Sequence, residues 1–255
     1  MKNNIFDDIW FGKIGESHLG EYTDSATKQL LKILAELQEG NFEQISELTK
    51  ISQISQDSDI RRSALRLFLS AASHDDIPLL GNMLDETSEA VVNDFCYFAE
   101  SSLSPQILPY LLAMFETWEG TDIGEQICQT IGYVINSLPA QDGYCSQDEL
   151  VNECKQFLNT HDQKKYFYAG SEFFVGTLTK EMISEMMLCK SKSKPYFSNQ
   201  LPSILSISTG IKCPLQAGIQ ITDIVVEKVM HYVKALSEKK WIPGRKYFYG
   251  NLIGN

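Results

Sequence analysis

From Leu67 to Cys154, 88 consecutive residues, this 255-residue chain has no lysine or arginine, yet the same stretch holds 15 aspartates and glutamates. Over the whole chain 22 basic residues face 33 acidic ones, a net charge of -11. That balance argues against direct nucleic-acid binding, because the polyanion would repel the chain, and the polybasic signature of a membrane-surface protein is missing too. Proline (8) and glycine (16) are too scarce for collagen or low-complexity disorder. The six cysteines form no C-x-x-C pair, and Cys96 and Cys128 fall on apolar helical faces. Buried free thiols in a reducing cytoplasm are the expected reading. No apolar run approaches the roughly 18 residues of a membrane span. The first dozen residues carry Asp7 and Asp8 and no apolar export segment. A chain of this length buries most of its apolar surface without help from metal or disulfide.

The charge that is present is unevenly placed. Residues 1–160 hold 9 basic and 26 acidic side chains; residues 161–255 hold 13 basic and 7 acidic. An acidic run can be a solvated face and nothing more. Surface acids on helices are, however, usually interleaved with Lys or Arg at i,i+4, and leaving out every cation forgoes that support and adds self-repulsion. A basic partner accounts for the omission.

Helical signals begin at Asp24 or Ser25, with Ala26, Leu30, Leu34 and Leu37 in one stripe and Gly40 as the stop. A second helix is expected from about Phe42 to Ile54. Asp57-Ser58-Asp59-Ile60-Arg61-Arg62 opens a third, whose apolar stripe is Ile60, Ala64, Leu65, Phe68, Ala71 and Ala72, with Arg61, Arg62, Ser63 and Arg66 off it. Short helices follow from Asp76 to Glu86 and after Thr87 or Ser88. Ser104-Pro105, Thr121 and the capping box Ser146-Gln147-Asp148-Glu149 start the next three. Beyond residue 160 the texture changes. Helices are expected from Thr179 to about Cys189 and from Thr222 to about Ser237, and residues 196–219 read as irregular. The string Lys-Tyr-Phe-Tyr occurs at 165–168 and again at 246–249. Ile5, Phe6, Ile9, Trp10 and Phe11 are candidates to cap one end of the core.

An internal period accompanies these helices. Ile77-Pro78-Leu79-Leu80 returns as Leu108-Pro109-Tyr110-Leu111 at an offset of 31, and Leu65, Cys96 and Ile127 align at the same spacing. Helix pairs repeated at 30-odd residues are the signature of an α-solenoid, because one pair cannot bury its own apolar face. Asp57 to Leu65 resembles the turn and inner helix of a HEAT repeat; Pro78, Asp85 and Val92, then Pro109, Asp122 and Ile123, fit two further copies, with Asn93 and Gly124 where the family has Arg. The resemblance implies an all-α fold: an acidic HEAT-like array over residues 1–160, with a basic, aromatic-rich, less regular helical segment, 161–255, packed on it.

No assembled catalytic motif is visible. His18, His74, His161 and His231 are scattered singly, and there is no H-E-x-x-H, G-x-S-x-G, P-loop or G-x-G-x-x-G. His74-Asp75-Asp76 has the look of a metal-site fragment, but it lies between two helices, where both acids suit capping. No enzyme activity, cofactor or metal is expected.

The helical array and the aromatic, glycine-containing end from Trp241 to Gly250 resemble the bacterial immunity proteins of contact-dependent growth inhibition and related polymorphic toxin systems. The resemblance implies a cytoplasmic protein that binds and neutralises a cognate toxin, basic and often a nuclease, with no direct contact to nucleic acid or membrane. A HEAT-repeat scaffold with another basic partner fits the same features. A helical-repeat nucleic-acid enzyme fits less well, for want of a basic groove. The expected partner-binding residues are Glu89, Asp94, Glu100, Asp122 and Glu125 on the two inner helices, joined by Glu86, Glu116 and Glu119 from the flanking turns.

Overall fold

The computed structural model describes residues 25–54, 58–81, 88–143 and 146–254. The aromatic start of the chain, Asp24, Asp57 and residues 85–87 lie outside the described residues. The fold is mostly α-helical. In chain order the helices are α1 (Ser25–Gln38), α2 (Ile45–Ile54), α3 (Ser58–Ala71), α4 (Glu89–Phe98), α5 (Leu108–Trp118), α6 (Asp122–Ile135), the single turn α7 (Leu138–Gln141), α8 (Gln147–Thr160), α9 (Val175–Ser191), α10 (Gln200–Thr209) and α11 (Asp223–Ser237). Segments of 3-10 helix span His74–Leu80, Ala99–Ser102 and Pro105–Ile107. Two hairpins, β1 (Phe167–Tyr168) with β2 (Ser171–Glu172) and β3 (Tyr247–Phe248) with β4 (Asn251–Leu252), add strand to a chain expected to be all-α.

The caps act as their residue types dictate. The hydroxyls of Ser104, Thr121, Ser146 and Thr222 accept the N–H of Gln106, Gly124, Glu149 and Val225, each satisfying a donor that the first turn of a helix leaves without a partner. Thr121 follows Gly120, whose φ of +77° turns the chain out of α5.

Helix α3 sits at the centre. It packs against α1, α2, α4, the Ala99–Ser102 turn and β3, so Ser63 and Arg66 are buried along with its apolar stripe. Arg66 is only 3% exposed. Its Nη2 donates to the Ser203 hydroxyl, and its guanidinium lies over the Phe98 ring, 5.3 Å from the centroid. Burial pulls its pKa down to about 9.

The stretch 196–219, expected to be irregular, contains α10, which is buried from Leu201 to Thr209. Pro202 falls in its first turn, where its missing N–H had no partner to lose. Ser206 and Thr209 hydroxyls return hydrogen bonds to the carbonyls of Pro202 and Leu205, at 2.6 Å each. A helix satisfied in this way needs no polar stripe. The offset of 31 is not matched by like elements: Ile77-Pro78-Leu79-Leu80 forms a 3-10 segment, whereas Leu108-Pro109-Tyr110-Leu111 opens the α-helix α5.

A different repeat is evident in three dimensions. In each hairpin the turn takes left-handed backbone, φ +45° and +71° at Ala169-Gly170, and +51° and +83° at Tyr249-Gly250. The Gly170 N–H donates to Val134 near the end of α6, and the Gly250 N–H donates to Ser208 near the end of α10, at 3.0 and 2.8 Å. The structural offset is thus 80, one less than the 81 that separates the two Lys-Tyr-Phe-Tyr strings. A one-residue slip sends side chains to the opposite face. Lys165 therefore reaches outward to Glu172 at 2.8 Å, whereas Lys246 points into the core. The Lys246 Nζ donates to the carbonyls of Leu69 and Ala72, at the end of α3, and of Ser102, at 2.8, 2.9 and 2.9 Å. Two helix ends meet this one cation, as their partial negative charge favours.

Two apolar clusters result. One gathers α1 through α8, together with Phe167, Ile207, Phe248 and Ile253 from the C-terminal part; the other gathers α9, α10 and α11 with Leu103. Among the described residues no helix is long and apolar enough to cross a membrane.

Candidate functional site

Helices α4, α5 and α6 contain no lysine or arginine. On α4, Glu89, Asn93 and Tyr97 recur at i,i+4,i+8; on α6, Asp122, Gln126, Gln129 and Tyr133 recur at i,i+4,i+7,i+11. Each series is the outward stripe of its helix. Both run into a cleft of about 480 Å³, closed on its far side by the start of α10 and the preceding loop at Phe197.

Glu100 lies in that cleft, on the 3-10 turn that follows α4. The Gln200 side-chain amide, from the first turn of α10, donates to its Oε2. Burial pushes the Glu100 carboxyl above the usual carboxylate range, and the Gln200 hydrogen bond acts against that push. A half-buried carboxylate in a cleft, held but not neutralised, is a common mark of a functional position. The cleft wall also includes Arg66, turned inward as described.

Three large rings stand at the rim. Tyr97 is 57% exposed, Tyr133 49% and Phe197 65%. Phe197 is steadied by Tyr196, whose ring lies 5.7 Å away and whose buried hydroxyl donates to Glu185 at 2.6 Å. Exposed aromatics around a concave polar site are the composition of a protein-binding hot spot.

The residues expected from the sequence fall out differently from one another. Glu89, Asp122 and Glu125 are exposed, and all three occupy first turns, where a negative charge also stabilises its helix by roughly 0.3–1 kcal/mol. Glu116 and Glu119 are exposed at the other end of α5. Asp94 is engaged: its Oδ1 lies 2.9 Å from the Arg62 Nε. Burial raises the pKa of Asp94, and Arg62 opposes the rise. Glu86 is outside the described residues. Tyr97, Tyr133, Phe197, Gln126 and Gln129 were not anticipated. The two tyrosines carried a readable signal, since each is an aromatic standing off the apolar stripe of its own helix.

A second cleft, about 710 Å³, lies beside His74, Asp75, Lys164, Lys165 and Arg245. Its His74-Asp75-Asp76 run is part of the local architecture. The Asp76 carboxylate accepts from the backbone N–H and hydroxyl of Ser73, at 2.8 and 2.6 Å. The His74 ring stacks on Tyr166 at 4.0 Å, with Nδ1 2.7 Å from the Ser104 hydroxyl. Among the described residues no group of three or more His, Cys, Asp or Glu side chains is placed to hold a metal ion.

The sequence model of one protein family, Immunity protein 47, matches residues 5–253. No curated protein and no solved structure matches the chain.

Proposed function

The chain belongs to the Immunity protein 47 family, and from that premise we propose that it binds a cognate toxin and neutralises it by covering the toxin's active-site or substrate face. The toxin we propose is basic, and a nuclease is the class that fits best. A nuclease presents cations to hold phosphate, and an acidic surface of matching extent competes for them. The single observation that carries this reading is the α4–α6 face, whose helices hold no lysine or arginine of their own and which opens into a cleft ringed by Tyr97, Tyr133 and Phe197.

On this reading the contact residues are Glu89, Asp122, Glu125, Glu116 and Glu119, with Glu100 in the cleft and Asp94 contributing through its pair with Arg62. The protein acts by binding, without catalysis, metal or cofactor, in the cytoplasm and away from nucleic acid and membrane. Residues 1–160 serve as the acidic binding unit. The consecutive, packed pairs α2–α3 and α5–α6 support a HEAT-like arrangement for it, and residues 161–255 buttress it. The test is co-expression with candidate basic toxin domains. Restored growth together with a stable complex that weakens as salt rises is the expected result. Unrelieved toxicity at equal expression would overturn the proposal.

A further inference from the structure

We infer that the cleft between α4, α6 and α10 receives a single arginine side chain from the toxin, with Glu100 as its carboxylate partner and the rings of Tyr97, Tyr133 and Phe197 as its walls. This rests on the binding role proposed above and adds the chemistry of the group that is bound.

The space suits such a guest. About 480 Å³ is room for a guanidinium, its three-carbon stem and some flanking backbone. The electrostatics suit it as well. Glu100 offers a carboxylate already partly stripped of water, fixed by Gln200 rather than by a cation. The helices α4 and α6 that bear the cleft contain no lysine or arginine of their own. Arg66 also lines the cleft, but it is only 3% exposed, with its Nη2 on the Ser203 hydroxyl and its guanidinium over the Phe98 ring, so the guest arginine is placed toward the rim, against Tyr97, Tyr133 and Phe197.

Arginine is favoured over lysine for two reasons. A guanidinium is flat and weakly hydrated, so it can lie against ring faces while still bonding a carboxylate. It also carries five N–H donors in a fixed fork, and the cleft supplies side-chain oxygens at several heights through Gln126, Gln129 and Ser101. A compact ammonium would leave most of these unused and give up more hydration.

The experiment needs no toxin. N-acetyl-arginine amide is titrated into the isotopically labelled full chain, with N-acetyl-lysine amide as the comparison, and binding is followed by NMR. The expected result is saturable shifts at Tyr97, Glu100, Gln129 and Tyr133, with lysine roughly tenfold weaker. Glu100→Gln should weaken arginine binding about tenfold, equivalent to about 1.4 kcal/mol. That variant keeps an acceptor for Gln200 and loses only a charge that burial disfavours, so it should fold; an unchanged spectrum away from the cleft verifies this. Tyr97→Ala with Tyr133→Ala is the second variant, removing walls that are exposed and not part of the core. Shifts confined to other surfaces, no shift at all, or equal binding by wild type and Glu100→Gln would each overturn the inference. The two readings separate cleanly. Arginine binding without protection from the toxin removes the proposed function alone. Protection and tight toxin binding that survive both cleft variants remove the arginine receptor alone.

Discussion

Replacing Lys246 by Met should unlock the C-terminal hairpin from the helical core. Lys246 is 1% exposed, and its three donors end on three carbonyls drawn from the ends of α3 and the Ala99–Ser102 turn. Met matches the stem in length and fills much of the same space, so the perturbation is chiefly the loss of the donors. Orphaning each buried carbonyl costs roughly 1–2 kcal/mol, or about 4 kcal/mol for three. Losing a cation at two helix C-termini adds about 1 kcal/mol. Removing the ammonium's own desolvation returns a few kcal/mol, taken as about 2. The expected net loss is therefore about 3 kcal/mol at about pH 6, where the folded side chain, with its pKa of about 7, is charged. Urea denaturation followed by far-ultraviolet circular dichroism measures it directly, as a lower midpoint at unchanged slope. A variant within 0.5 kcal/mol of wild type, roughly the scatter of a neutral surface change, would refute the reasoning, and a more stable one would reverse it.

The same residue predicts a pH dependence. Burial holds Lys246 at about 7 against an ordinary 10.5, so between those values the unfolded chain carries a proton that the folded chain has released. Stability due to this group is therefore lowest below pH 7 and rises with pH across that interval, a rise that Lys246→Met should lack; a parallel profile in the variant would contradict it. Gly170→Ala should lower the melting temperature by roughly 4–8 °C, for a loss of about 2 kcal/mol. The added Cβ would stand 2.7 Å from the Asn136 Cβ on backbone at φ +71°, and calorimetry showing no change would argue against that close approach. Reversing Glu89, Asp122 and Glu125 to Lys together should slow toxin association about 10- to 1,000-fold at low salt and flatten its salt dependence. The fold should survive with a loss of roughly 1–3 kcal/mol from the three helix N-termini. Stopped-flow rates equal to wild type would place the interface elsewhere.

How far the sequence carried is best seen residue by residue. Ser104, Thr121, Ser146 and Thr222 were legible as caps because capping is a local event, decided within three or four residues. The stripes of α1, α3 and α6 were legible because one face meets a core. Arg66 and Ser63 were not, since α3 is covered on nearly all sides and periodicity reports a face, not a count of neighbours. Helix α10 was hidden by Pro202 and by hydroxyls that satisfy the helix's own carbonyls. The duplicated Lys-Tyr-Phe-Tyr string was visible but misleading. The hairpins superpose one residue away from it, so equal letters occupy opposite faces, and only the docked partner helices fix that register. For the site, the acidic stripe could be read from the missing cations. The cleft could not, because Glu100 meets Gln200 across 100 residues of sequence.

Hydrogen–deuterium exchange on the complex between this chain and its cognate toxin tests the central claim most directly. The account predicts slower exchange on complex formation in α4, the Ala99–Ser102 turn, α6 and the segment from Phe197 into α10, with α1 and α11 unchanged. Slowing confined to α9 and α11, with α4 and α6 exchanging as in the free protein, would contradict it.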